Sequence, residues 1–147
     1  VHSAHKDGSR ERSHDGGGCP VHFAASGDTL YWVAAATCTD ATRPIAGSIQ
    51  RAALGDPSQS ATFAPGLHGP LRLAATERWL LWTSDLGPAL GAAPRDPATA
   101  RATELAPECF GGAPLDVLAD GGDALLVATV EYGAAGARGR VVRLESR

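Results

Sequence analysis

The sequence predicts an all-β fold built from about three copies of one unit, each a set of four short antiparallel strands. Two observations predict it. A pattern of proline, alternating apolar residues, polar turn and apolar strand recurs three times along the 147 residues. The apolar strand is also apolar on both faces, as in Leu30-Tyr31-Trp32-Val33, so each sheet must be covered on both sides. Four strands per ~40–50 residues, stacked face to face, is the arithmetic of β-propeller blades, and the chain holds a partial or half propeller of them.

Each element follows in order. Residues 1–18 are polar and rich in glycine, and read as a flexible tail. The repeat domain spans 19–147, in units 19–68, 69–112 and 113–147. First strands fall at 19–25, 69–75 and 113–119, opening on Cys19-Pro20, Gly69-Pro70 and Ala113-Pro114. Second strands fall at 28–33, 78–83 and 123–128, with Leu30, Leu80 and Leu125 lying 10, 10 and 11 residues after the prolines. Third strands are expected at 47–54, 89–95 and 139–144, and fourth strands around 60–63 and 100–105, the third unit stopping before its fourth. Prolines and glycines punctuate the intervals, as turns require. The longest loops, 34–46 and 131–138, are expected on one binding face.

Leu30-Tyr31-Trp32, then Gly47-x-Ile49-x-Arg51-x-x-Leu54-Gly55, Pro70-Leu71-x-Leu73-Ala74 and Leu80-Leu81-Trp82-Thr83 carry a resemblance. Residues 19–147 are similar to the repeats of YWTD-type and TolB-like six-bladed propellers. The YWTD aspartate is absent after Trp32, displaced to Asp85 in the second unit, and absent from the third. The resemblance implies an architecture rather than a chemistry.

Composition excludes several classes. The formal net charge is −3, and Lys6 is the only lysine, so no basic, aromatic-interleaved stripe for nucleic acid exists. No apolar run approaches the ~18 residues of a membrane span, and residues 1–18 show no signal-peptide core. There is no P-loop. Gly121 and Gly122 between Asp120 and Asp123 read as turn chemistry rather than a calcium loop. His2, His5, His14, Cys19 and His22 match no closed metal site, and no metal or cofactor is expected.

Three positions stand out for function. His22, Arg72 and Asp116 occupy equivalent places between the apolar residues of the three first strands. On innermost strands, they are expected to line a polar central channel and are the ligand candidates. Cys19, Cys38 and Cys109 allow three disulfide pairings, of which Cys19 with Cys38, inside one unit, is preferred. A disulfide predicts an extracytoplasmic site, periplasmic or secreted. The leading expectation is a non-catalytic scaffold that binds a protein or ligand. The alternative is a propeller-type hydrolase, lactonase or lyase using His22 and Asp116 in the channel. An incomplete ring leaves apolar blade faces bare, so a protein partner or a second copy, in a homodimer, is expected to complete the propeller and to shield the Trp32 and Trp82 strands.

Overall fold

A computed structural model of the chain describes residues 2–3, 12–13, 19–37, 46–55, 59–84, 90–105, 112–120 and 122–145. Thirteen β-strands and no helix occur among them. Two short strands, β1 (His2–Ser3) and β2 (Arg12–Ser13), pair with each other. The first blade is a four-stranded antiparallel meander: β3 (Cys19–Ser26), β4 (Thr29–Ala35), β5 (Ala46–Ala53) and β6 (Ala61–His68). The second blade repeats it with β7 (Pro70–Ala75), β8 (Trp79–Ser84), β9 (Leu90–Pro94) and β10 (Thr103–Leu105). A third blade has three strands, β11 (Ala113–Ala119), β12 (Ala124–Gly133) and β13 (Gly136–Glu145). The architecture is that of propeller-like blades, as the repeat predicts.

The blades stack through the faces of their second strands. Tyr31, Val33 and Ile49 of blade 1 pack against Leu73, Leu80 and Trp82 of blade 2. From the opposite face of blade 2, Ala74, Leu81 and Leu90 pack against Val117, Leu125 and Val127 of blade 3. This is why alternate residues of one strand are both apolar: each face of β8 meets a different neighbour. A tight approach in blade 2 depends on glycine. Gly91 lies opposite Trp82, and a Cβ there would fall 2.0 Å from the indole. The inner strands β3, β7 and β11 lie side by side. Each carries a register shift just after its proline: Pro20/His22, Pro70/Leu73 and Pro114/Asp116. The ring nitrogen of proline cannot donate to the ladder, and bulges are where sheets absorb that loss.

Two expectations need correction, and the first strands depart from simple alternation. Phe23 is 66% exposed, and Leu115 is exposed as well. Phe23 pairs with Trp32, which puts it on the blade 1 face that looks away from blade 2. Leu115 sits at a bulge, which turns it out of the alternation. Trp32 does not require a second copy for shielding: it is fully buried within the single chain, in a cluster with Leu30, Ala34 and Ala52. Trp82 is buried in the joint between blades 1 and 2. Finally, 131–138 is no loop. β12 and β13 stay paired out to Gly133 and Gly136, forming a long hairpin. Glu131 opposes Arg138 there, which favours continued pairing.

Candidate functional site

Side chains of a strand stand on the two faces of its sheet and do not project from its edge. An inner-strand residue therefore points into a joint between blades more readily than toward a central axis. His22 follows this rule. It pairs with Val33, on the face that packs against blade 2. Its Nδ1 accepts the backbone N–H of Leu73 at 3.2 Å, across the joint. That N–H lies at the end of the register shift between Pro70 and Leu73, and His22 satisfies it. Half-burial lowers the imidazole pKa below its ordinary 6.5, the charge of Arg72 lowers it further, and Asp116 opposes both. Arg72 and Asp116 thus each lie within electrostatic reach of His22. Asp116 Oδ1 accepts the N–H of Val117 at 2.9 Å, at its own bulge. Arg72 is exposed, while its backbone N–H donates to Thr83 Oγ1 at 3.3 Å.

Two further clamps were not apparent from sequence. Arg95, just beyond β9, reaches back over the β3–β4 turn. Its Nε donates to the Tyr31 hydroxyl at 3.0 Å. One terminal nitrogen donates to Ser26 Oγ at 2.8 Å and to the carbonyls of Thr76 and Glu77 at 2.6 and 3.0 Å. The other donates to the Ser26 carbonyl at 2.8 Å. The guanidinium also lies 5.3 Å from the Tyr31 ring centre. Asp123 performs the same office between blades 2 and 3. It accepts from Thr76 Oγ1 at 3.3 Å, from the Arg78 N–H at 3.1 Å, and from Arg78 Nε in an ion pair. Desolvation works against its charge, but the Arg78 and Thr76 hydrogen bonds outweigh this and hold the carboxyl below its usual range. A signal for this pair was present: Asp28, Arg78 and Asp123 start the second strands of successive units with alternating sign.

The joints differ at their outer ends. In the first, Tyr31 meets Phe63 edge-on, with ring centres 5.6 Å apart. In the second, Leu81 stands where Tyr31 does, and an apolar groove of about 320 Å³ remains between Trp79, Leu105, Leu125 and Leu144. Its carboxylates, Asp123 and Glu145, are both engaged with arginines. Among the described residues, no group of three or more His, Cys, Asp or Glu side chains is placed to hold a metal ion. Cys19 is disulfide-bonded. Cys38 and Cys109 lie outside the described residues, as do His5, His14 and Asp85. No helix among the described residues is long and apolar enough to cross a membrane.

No protein-family model matches the chain, and no curated protein matches it. Its fold is found among solved structures. A chain from the crystal structure of a nidogen/laminin complex superposes with a TM-score of 0.62 at 16% identity, over 95% of this chain and 52% of that one. This chain therefore spans about half the length of the solved chain it matches. Such a likeness defines the class by fold alone: an all-β stack of propeller-like blades.

Proposed function

We propose that the chain is a non-catalytic propeller-type scaffold that binds a protein partner. One observation carries this reading: His22 is engaged in joining blades, and Asp116 is held within its own strand. The Nδ1 lone pair of His22, which a general base or metal ligand on that atom needs, accepts the Leu73 N–H. Asp116 accepts from Val117. A recognition element supports the reading from the other side. The β12–β13 hairpin carries Tyr132 near its tip, 78% exposed, and an exposed tyrosine offers a large contact area at low entropic cost. The solved neighbour comes from a complex between two proteins, which is in keeping with a binding role. The disulfide at Cys19 supports an oxidising, extracytoplasmic location, and Cys38 is the partner we assign to it.

The competing reading is a propeller-type hydrolase, lactonase or lyase centred on His22 and Asp116. It is tested by equilibrating the chain with zinc, calcium or manganese, measuring bound metal after desalting, and assaying ester and lactone hydrolysis. The scaffold reading expects no whole-number metal and no turnover that His22→Ala or Asp116→Asn removes. Stoichiometric metal or turnover lost in both variants overturns it.

A further inference from the structure

The joint between blades 1 and 2 holds a cavity of about 260 Å³ at its outer strands, walled by two complete four-stranded blades. Blade 1 supplies the end of β6, where Pro65 and Gly66 bulge opposite the single residue Ser48 and Gly66 takes a φ of +66°. Blade 2 supplies a row across its sheet. Trp82 opposes Gly91, and Gly91 opposes Glu104, so all three stand on the face toward blade 1. With no side chain at Gly91, the indole lies across β9. The atoms that a Cβ on Gly91 would meet are Cε2, Nε1 and Cζ2. The N–H edge of the ring therefore lies over β9, the strand between Trp82 and Glu104.

Trp82 is only 4% exposed, yet its indole nitrogen has no acceptor among the described residues and opens on the cavity. A donor so enclosed calls for one. Blade 1 closes the same row with its own side chains. Trp32, Gln50 and Thr62 are in register there, Thr62 donates to Gln50 Oε1 at 3.2 Å, and Gln50 donates to Ser48 Oγ at 2.8 Å. In blade 2 the row ends instead on the Glu104 carboxylate, which has no ion-pair partner among the described residues. Ser84 donates its proton to the His68 carbonyl at 2.7 Å, which leaves the hydroxyl oxygen as an acceptor at the cavity wall.

These groups narrow the ligand by their chemistry. An anion is repelled by Glu104. A cation meets the positive edge of the indole and its N–H. A neutral molecule whose groups both donate and accept satisfies the indole and the carboxylate together, and adjacent hydroxyls do this. We propose that the cavity binds a small polyhydroxylated ring, a monosaccharide or cyclitol, with one hydroxyl accepting from Trp82 Nε1 and another donating to Glu104. Pro65, Leu67 and Ala102 give apolar cover for the C–H face of the ring. The volume is below the ~300–1,000 Å³ of sites for drug-sized ligands, so the cavity takes one ring and not an extended chain. This site is separate from the protein-binding hairpin and goes beyond the scaffold reading.

The test is proton–nitrogen-15 correlation NMR of the full chain, in which the indole N–H signals of Trp32, Trp79 and Trp82 report separately. The probes are glucose, galactose, mannose, myo-inositol and the methyl glycosides of these hexoses, with choline and acetate as charged controls. The expected result is a saturable shift of the Trp82 signal with at least one hydroxylated probe, at millimolar affinity. Trp79, which lines the groove toward blade 3, keeps its position. Glu104→Gln weakens the binding ~tenfold by removing the charge from the acceptor. Glu104 is exposed, so this variant keeps the thermal midpoint of the parent chain. Tighter binding of a methyl glycoside supports the proposal and makes a glycan end the source; tighter binding of a free hexose or of inositol supports it and makes a free sugar or cyclitol the source. A Trp82 signal that no hydroxylated probe moves overturns the proposal and leaves water as the occupant. So does a shift indifferent to Glu104→Gln, or one produced by choline or acetate and not by the hydroxylated probes. None of these outcomes touches the scaffold reading, which the metal and hydrolysis assays judge separately.

Discussion

Replacing Arg95 with alanine is the sharpest test of how the blades are joined. The side chain donates to the Tyr31 hydroxyl, to both the hydroxyl and the carbonyl oxygen of Ser26, and to the carbonyls of Thr76 and Glu77. Ser26 and Tyr31 belong to blade 1, whereas Thr76 and Glu77 lie in the β7–β8 turn of blade 2. A hydrogen bond to a charged donor contributes ~1.5–3 kcal/mol, and bonds made by one guanidinium are not additive. The site is partly open, lying in a cavity of about 370 Å³ bounded by Gly27, Ala119 and Gly122, so water replaces some of what is lost. The net cost is about 3 kcal/mol, or a fall of ~6–12 °C in Tm for a domain of this size. Arg95→Lys recovers only part of it, because a point charge cannot serve acceptors spread around a planar fork. Thermal and urea unfolding measure the effect, with Arg101→Ala on the exposed surface as the control. A loss below ~0.5 kcal/mol in Arg95→Ala refutes the clamp.

Further outcomes follow from the same structure. Gly91→Ala places a methyl group against the Trp82 indole, and the overpacking destabilises the chain by ~1–3 kcal/mol, seen in unfolding curves and in a shifted tryptophan emission. His22 has a folded pKa below its unfolded 6.5, so it favours the folded state above that pH. That contribution is lost as pH falls from 6.5 through the folded value. Urea midpoints therefore drop between pH 7 and 5, and His22→Asn, which keeps an acceptor without titrating, flattens this slope. Asp123 behaves alike near its ordinary 3.8, where acid removes the Arg78 pairing; Asp123→Asn abolishes that step. Non-reducing peptide mapping recovers Cys19 linked to Cys38, with Cys109 as free thiol; recovery of Cys19 with Cys109 contradicts the assignment. Reduction lowers stability by ~2–4 kcal/mol.

The blades were legible in the sequence because their signal is repeated and local. The three prolines, the doubly apolar strands around Trp32, Trp82 and Val127, and the intervening turns fix period and strand order together. Side-chain direction on the inner strands was less legible. Phe23, Leu73 and Val117 do share a face, opposite Trp32, Trp82 and Val127, but a one-residue shift after each proline breaks the phase between them and the first residues of their strands. Sequence does not announce a bulge, since any residue can occupy one. Phe23 also shows that burial depends on a neighbour as well as on residue type, for its equivalents Leu73 and Val117 are buried by a preceding blade. Of the candidate site, sequence found the three equivalent positions but not the bond of His22 across the joint. The Arg78–Asp123 pair left a trace in the alternating sign at the starts of the second strands, whereas the Arg95 clamp depends on a long side chain crossing between repeats, where no fixed spacing exists to read.

The most direct test of the account is the state of the His22 ring. Nitrogen-15 NMR of labelled protein reads the protonation of each ring nitrogen. With Nδ1 accepting the Leu73 N–H, the imidazole at pH 7 is neutral, carries its proton on Nε2, and is unchanged by added zinc. A proton on Nδ1, or a ring that takes up zinc, would show that His22 is free for chemistry and does not join the blades.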